Sequence, residues 1–190
     1  WIRRSYDGMK VALCLSGHLR HFQQTFSNLK RFVIDPYQCD VFLHTWDKLG
    51  YFNHFRPDQP QLVKGLTAHK LKAIERWYAP KKIVVETEDD CFIREAQTVL
   101  PHLSNLPKHP GHMFAMFYKI QACNLLRQQY ELETGTRYDV VIRARPDLQF
   151  QAPLPVQITS HLTLPTFTAN VGLNDQFAYG NGGIMDRYSN

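Results

Sequence analysis

The chain has no apolar run long enough to cross a membrane. A spanning helix needs about 18 or more consecutive apolar residues, and no such run occurs in the 190 residues. Internal repeats, low-complexity tracts and long basic runs are also absent. Although the net charge is +5, the lysines and arginines are scattered. The modest positive charge fits a phosphate-bearing partner, whether a nucleotide, a nucleic acid or an anionic lipid surface, and does not choose among them. The scattered distribution weakens the nucleic-acid alternative.

The common nucleotide and metal motifs are missing too. The sequence contains no G-x-x-x-x-G-K-[ST] loop and no G-x-G-x-x-G turn, which excludes the best-known phosphate-binding signatures. The 4 cysteines are far apart and form no C-x-x-C pair, so a zinc knuckle is not expected. Such spacing is typical of buried free thiols in a reducing compartment, and we therefore expect a cytoplasmic protein.

Apolar runs alternate with segments of helical period along the chain. The strand-like runs are Lys10–Gly17, Cys39–Trp46, Lys81–Thr87 and the "YDVVIRARPDLQF" segment. The helical patterns run from Leu19 to a stop at Pro36, over Leu66–Pro80, over 89–101, and over Met113–Gly135. This alternation predicts an α/β fold, with a mostly parallel central sheet flanked by helices, in a Rossmann-like single domain.

The last part of the sequence predicts shorter elements. Leu162–Phe167 favours a short strand, Asn174–Asn181 an edge strand or a loop, and the segment after residue 181 the opening of a helix. Residues 1–8 are interpreted as an extension and residues 9–190 as the domain. The abrupt end after Asn190 leaves open that the domain is a shortened one.

Polar side chains follow each predicted strand. In parallel sheets, ligands bind outside the carboxyl ends of the strands, so these side chains are the first candidates for a site. They are Ser16, Gly17 and Arg20 at the end of the first strand, His44 and Trp46 at the end of the second, Glu86 and Thr87 at the end of the third, and Arg143, Arg145 and Asp147 at the end of the fourth.

Arg143, Arg145 and Asp147 form the most informative group. Their spacing of two residues places them on one face while the chain stays extended, and Pro146 favours an extended approach. Guanidinium groups bind phosphate oxygens in a planar fork, and a carboxylate beside them can hold a divalent cation. An internal Arg–Asp ion pair that pins the strand end explains the same pattern equally well.

Other candidates each have a structural alternative. Gly17 lets the backbone approach a ligand at a helix N-terminus, but many strand-to-helix turns contain one glycine. Trp46 can stack on a nucleobase or sugar, although a core position is commoner, and His44 is more often a hydrogen-bonded structural residue. Lys119, on an apolar helix face, either reaches water or a charged site. Asp175 is a candidate general base or an ordinary turn residue.

Four blocks of the sequence, in order, resemble a group of bacterial and viral glycosyltransferases with a GT-A-like, nucleotide-diphospho-sugar-binding fold. The blocks are "VALCLSGHLRHFQQTFSNL", "CDVFLHTW", "YDVVIRARPDLQF" and "NDQFAYGN". They are similar to the family patterns SG-x-x-R, DVF-x-H-TW, YD-x-x-x-R-x-R-x-D and NDQF-x-x-G. The likeness covers the chain from about residue 10 to residue 190.

The resemblance implies transfer of a sugar from a nucleotide-sugar donor to a glycan or lipid-linked acceptor, in the cytoplasm or at the membrane surface, without a nucleic-acid partner. It implies a donor diphosphate site formed by Ser16, Gly17, Arg20, Arg143, Arg145 and Lys119, with Trp46 or His44 against the nucleobase or sugar. Asp175 is the implied catalytic residue near the acceptor. A non-catalytic nucleotide- or carbohydrate-binding domain is the alternative.

The resemblance also implies a metal ligand, with one departure from the family pattern. Asp147 takes the place of the D-x-D carboxylate that holds Mn²⁺ or Mg²⁺ on the donor diphosphate. Arg145 stands where the first aspartate of that element is expected. Two arginines that neutralise the diphosphate without a cation are therefore the alternative to a bound cation.

Overall fold

The protein is built on a five-stranded sheet with the order β3-β2-β1-β4-β5. The computed structural model describes residues 8–50, 64–87, 91–99, 111–165 and 175–190. The strands are β1 (Val11–Ser16), β2 (Asp40–Trp46), β3 (Lys82–Glu86), β4 (Val140–Ala144) and β5 (Phe177–Gly180). The pairings β1–β2, β1–β4 and β2–β3 are parallel, and β5 is antiparallel to β4. The predicted α/β class with a mostly parallel sheet is confirmed.

The helices are α1 (Phe22–Leu29), α2 (Asp35–Tyr37), α3 (Ala68–Tyr78), α4 (Cys91–Val99), α5 (Gly111–Thr134) and α6 (Gly182–Ser189). Thr67 caps α3 through its side chain, which accepts from the Lys70 N–H. Gly135, directly after α5, has φ +68°, a left-handed conformation that glycine adopts without steric cost. Thr67 therefore begins a helix and Gly135 ends one, as the sequence predicted.

The prediction that Pro36 stops the first helix is wrong. A π-helical stretch, Lys30–Ile34, joins α1 to α2, and the helical path ends only at Gln38, which has φ 48°. Proline lacks the N–H that an α-helix needs four residues after an acceptor, which here is the Phe32 carbonyl. The Leu154 N–H donates to that carbonyl instead, at 3.4 Å. The Phe32 carbonyl thus accepts a hydrogen bond from a distant residue in place of the one that Pro36 cannot donate.

The sheet is covered on both faces. Alternate residues of each strand point to opposite faces, so Leu13 and Leu15 pack with Phe22 of α1 and Ile74 of α3. On the other face, a smaller cluster joins the sheet to α5 and α6; its members are Ala12, Cys14, Phe42, Cys123, Tyr138, Val141, Ala178 and Met185. The alternation places Ser16, His44 and Arg143 on the α5 and α6 face.

The prediction of a short strand at Leu162–Phe167 was less accurate. Between Leu162 and the last described residue of that segment, 165, the chain makes only an isolated bridge, Thr163 to Tyr179; the rest of the predicted strand lies outside the described residues. The alternative left open for Asn174–Asn181 is resolved as an edge strand, β5.

No helix in the described ranges combines the length and hydropathy needed to cross a bilayer.

Candidate anion-binding site

The turn after β1 brings backbone and side-chain donors to the carboxyl edge of the sheet. Ser16 lies opposite His44 of β2, and its hydroxyl is buried with no hydrogen-bond partner among the described residues. Gly17 has φ +100°, and its carbonyl accepts from the Thr45 hydroxyl at 2.8 Å. A Cβ at position 17 would meet no neighbour within 4 Å. The turn therefore needs glycine because of its positive φ and not because of a lack of space.

Arg20 is held in an uncommon backbone conformation at this turn. Its φ is 42°, in the left-handed region that non-glycine residues rarely occupy. The Arg20 N–H donates to the Leu49 carbonyl at 2.7 Å, and the guanidinium Nη1 lies 3.2 Å from Asp147 Oδ2. Residues held in this region cost about 1–3 kcal/mol and cluster at binding sites. The conformation aims Arg20 across the sheet edge at the end of β4.

Arg145 and Asp147 form a forked ion pair beyond β4. Arg145 Nε donates to Asp147 Oδ1 at 2.9 Å, and Nη2 donates to Oδ2 at 2.5 Å. The turn that carries Asp147 is fixed by α1, because the Thr25 hydroxyl donates to the Pro146 carbonyl at 2.7 Å and the Asn28 amide exchanges two bonds with the Phe150 backbone. One of the two interpretations left open by the sequence, an internal ion pair, is thus observed for Arg145 and Asp147.

The charges of this cluster act on one another. Burial works to raise the pKa of Asp147, but the hydrogen bonds and charge of Arg145, aided by Arg20, hold that pKa below its usual value. Burial and the charge of Arg145 lower the pKa of Arg20, and the charges of Asp147 and Asp175 oppose them. Asp147 is therefore ionised, and it balances only part of the positive charge that surrounds it.

Arg143 has the most unmet nitrogens within the group. The residue is 3% exposed, and neither Nε nor Nη1 has a hydrogen-bond partner among the described residues, whereas Arg20 lacks one at Nε alone. Burial lowers its pKa, while the charge of Asp175 acts in the opposite direction. A buried guanidinium with unmet N–H groups is costly, since most buried polar groups in proteins are hydrogen-bonded. Such a group is suited to receive an anionic ligand.

The antiparallel direction of β5 brings Asp175 to the same place. Because β5 runs opposite to β4, the start of β5 lies at the carboxyl end of β4, and the Arg145 N–H donates to the Gln176 carbonyl at 3.0 Å. The carboxylate of Asp175 is close enough for its charge to influence Arg20, Arg143 and Tyr188. Seven predicted residues therefore lie at this edge of the sheet: Ser16, Gly17, Arg20, Arg143, Arg145, Asp147 and Asp175.

Tyr188 is a site residue that the sequence did not reveal. Helix α6 begins beside Tyr138, at the amino end of β4, and runs back along the sheet towards the carboxyl edge. It is fixed there by Arg127 of α5, whose guanidinium hydrogen-bonds Asp186. Burial raises the pKa of Tyr188, and the charge of Arg143 opposes that shift. The tyrosine follows no motif, and only the path of α6 could have identified it.

A divalent cation does not fit the present surroundings of Asp147. Both carboxylate oxygens accept hydrogen bonds from Arg145, and one also faces Arg20. Within the described residues, no group of three or more His, Cys, Asp or Glu side chains could hold a metal ion. The metal-ligand role of Asp147 stays a prediction that this geometry does not favour.

A second buried cation lies at the same sheet edge, in the Lys119 cluster (His44, Trp46, Glu86, Tyr118 and Lys119). Lys119 Nζ donates to Glu86 Oε2 at 2.6 Å and to the Thr45 carbonyl at 3.1 Å. It also lies 3.1 Å from His44 Nδ1 and 3.4 Å from the centroid of the Trp46 ring. The Tyr118 hydroxyl donates to Glu86 Oε1 at 2.8 Å. Internal acceptors therefore meet the donors of this ammonium.

These contacts bear on three sequence candidates. Burial and the charge of Lys119 lower the pKa of His44 to about 4, so the ring is neutral and its Nδ1 accepts from Lys119. The Trp46 ring packs against the Lys119 ammonium and stacks on Tyr118, with centroids 6.2 Å apart. All three side chains serve internal contacts here. Their roles towards a nucleotide-sugar donor stay predictions.

Comparison with known proteins places the chain in a family. Residues 6–186 match the family model described as "Domain of unknown function (DUF7796)". The chain belongs to this family. A search of curated proteins found no match. The DUF7796 domain thus spans nearly all the described structure, including every residue of the anion-binding site except Tyr188, which lies two positions beyond the matched range.

Proposed function

We propose that this DUF7796 domain is a glycosyltransferase that moves a sugar from a nucleotide-diphospho-sugar donor to a saccharide or lipid-linked acceptor, on a GT-A-like fold. The observation that carries the proposal is the convergence of three guanidinium groups at the carboxyl edge of β1 and β4. One of them, Arg143, is buried with two unmet nitrogens. Guanidinium forks match phosphate oxygens in shape and charge.

The arrangement suits the chemistry of sugar transfer. When the bond between the sugar and the diphosphate breaks, negative charge develops on the leaving diphosphate, and fixed positive groups stabilise that charge. Arg143, Ser16 and Arg20 Nε offer unmet donors for that charge. We assign to Asp175, whose charge reaches Arg20 and Arg143, the acceptance of the proton of an acceptor hydroxyl as the hydroxyl attacks the sugar. The proposal therefore assigns binding to the arginines and proton transfer to Asp175.

A thermal-shift panel tests the binding half of the proposal. UDP, GDP and CDP are added to the protein separately, and the proposal expects at least one to raise the melting temperature, because a ligand that binds only the folded state stabilises it. Arg137→Met is the control for substitutions of site arginines such as Arg143→Met. Arg137 precedes β4 at the opposite edge of the sheet, and its side chain is 80% exposed. No shift with any of the three nucleotides would contradict the proposal.

Turnover tests the catalytic half. The nucleotide-sugar that corresponds to the stabilising nucleotide is incubated with the protein, and release of nucleoside diphosphate is measured with and without candidate acceptors. We expect Asp175→Asn to keep the thermal shift and to lose turnover by about 10²–10⁴-fold, the usual contribution of a general base. A wild-type protein that binds the nucleotide but releases no diphosphate would instead be a non-catalytic binding domain.

A further inference from the structure

The guanidinium groups of the site differ in how they are neutralised. Asp147 accepts hydrogen bonds from Arg145 through both of its oxygens, and Arg20 lies 3.2 Å from one of them. Arg143 has no such partner for Nε and Nη1. Among the described residues, Asp175 is the other carboxylate of the site, and its charge reaches Arg20 and Arg143. The site thus carries an excess of positive charge before any ligand binds.

A metal-dependent site would show a different arrangement. Carboxylate ligands that bind Mg²⁺ or Mn²⁺ keep their oxygens directed at the ion, whereas those of Asp147 are directed at guanidinium nitrogens. A cation placed beside Asp147 would also lie close to the charges of Arg20 and Arg145 and be repelled by them. The phosphate of a ligand, in contrast, can replace the carboxylate as the partner of these two arginines.

We propose that the site neutralises a diphosphate with guanidinium groups and needs no divalent cation, and that Asp147 is the internal counter-ion of Arg20 and Arg145, which the ligand displaces. The inference deepens the proposed function and takes its ligand class from it. Arg143 supplies most of the guanidinium N–H groups that no internal acceptor meets, and Arg20 Nε supplies another. Arg20 and Arg145 contribute once their bonds to Asp147 are exchanged for bonds to phosphate oxygens.

Inorganic pyrophosphate is the probe, and its binding to the wild-type protein is measured by calorimetry in excess EDTA and in excess Mg²⁺. We expect binding in EDTA that is as tight as in Mg²⁺ or tighter, since Mg²⁺ competes with the protein for pyrophosphate. Binding that occurs only with Mg²⁺, or in neither condition, overturns the inference. This comparison needs no variant, so it holds even if a substitution prevents folding.

Asp147→Asn should change the affinity for pyrophosphate in opposite directions, depending on whether Asp147 is a counter-ion or a metal ligand. As a counter-ion, Asp147 competes with the ligand, and its loss should tighten pyrophosphate binding in EDTA by about 3–10-fold, the range of one charge-assisted hydrogen bond partly offset by solvent. As a metal ligand, its loss should weaken binding in Mg²⁺, which would contradict the inference. Arg137→Met is again the control and should bind pyrophosphate as the wild type does.

The inference and the proposed function can fail separately. Pyrophosphate binding in EDTA without turnover of any nucleotide-sugar supports the inference and removes the proposed function. Turnover that appears only when a divalent cation is added has the reverse meaning, since it supports sugar transfer and overturns the cation-free site.

Discussion

Arg143 and Lys119 are two buried cations at one edge of the same sheet, and they differ in how their donors are met. Lys119 reaches Glu86, the Thr45 carbonyl and His44 within 3.1 Å and lies over the Trp46 ring. Arg143 leaves Nε and Nη1 without a partner. A buried charge that is fully hydrogen-bonded contributes to the folded structure, whereas one that is not costs stability. The contrast identifies Arg143 as the cation available to a ligand.

Substituting Arg143 should have the largest effect, and it should fall on binding. In Arg143→Met, two charge-assisted hydrogen bonds to the ligand are lost, each worth about 1.5 kcal/mol or more, so the affinity for the stabilising nucleoside diphosphate should fall at least about 100-fold. The melting temperature without ligand should stay the same or rise, because an unsatisfied buried charge is removed. Calorimetry and thermal unfolding measure the two quantities. A variant that unfolds at a much lower temperature would show that Arg143 is structural.

Substituting Lys119 should have the second-largest effect, and it should fall on stability. Lys119→Met leaves the Glu86 carboxylate and the Thr45 carbonyl without their shared donor. Because Glu86 is partly exposed, the free energy of unfolding should fall by about 2–3 kcal/mol, below the 3–5 kcal/mol of a fully buried pair. Chemical denaturation measures this loss. The matched control is Lys82→Met, since Lys82 pairs with the exposed Glu133 and should cost less than about 1 kcal/mol.

The same comparison extends to affinity. Folded Lys119→Met should bind pyrophosphate as the wild type does, because Lys119 donates to internal groups rather than to the ligand. A large loss of affinity in this variant, with the fold intact by circular dichroism, would remove the distinction between the two cations and restore Lys119 as a diphosphate-binding residue.

The smallest effect concerns His44 and pH. Burial and Lys119 lower the pKa of the folded-state His44 to about 4 from an ordinary 6.5, so between these values the unfolded chain binds the additional proton. Its contribution to stability is therefore complete above pH 6.5 and is lost as the pH falls towards 4, with a slope of at most about 1.4 kcal/mol per pH unit. Denaturation between pH 7 and 5 should show a shallower slope for His44→Gln.

That pH window separates His44 from the carboxylates. The folded-state pKa values of Glu86 and Asp147 lie below their ordinary 4.5 and 3.8, so their contributions are lost only at lower pH. An unchanged slope in His44→Gln would mean that burial and Lys119 do not hold the histidine neutral.

Much of the fold could be predicted because local patterns determine it. The run Val11–Ser16 is apolar except at its end and therefore forms a strand buried on both faces, and Thr67 and Gly135 have the residue types that begin and end helices. The path through Pro36 could not be predicted in this way, because the donor that reaches the Phe32 carbonyl is the N–H of Leu154, far along the chain.

The site was predictable in composition but not in pairing. Positions after parallel strands named Ser16, Arg143 and Arg145, since strand ends meet at one edge. The bond from Arg20 to Asp147 joins residues 127 positions apart, and neither spacing nor composition specifies it. Which arginine nitrogens are left without an acceptor follows only from the register of β1 and β4 and from the turn that α1 fixes.

The reversed course of β5 has a consequence for the order in which the molecule can assemble. A nascent polypeptide that has emerged as far as Phe150 already holds Arg20, Arg143 and Arg145, yet it lacks Asp175 and Tyr188, which approach Arg143 from the start of β5 and from α6. Ligand recognition therefore matures after the parallel part of the sheet. A bound diphosphate would tie early and late segments together, and amide exchange in α6 should slow in step with that in β1.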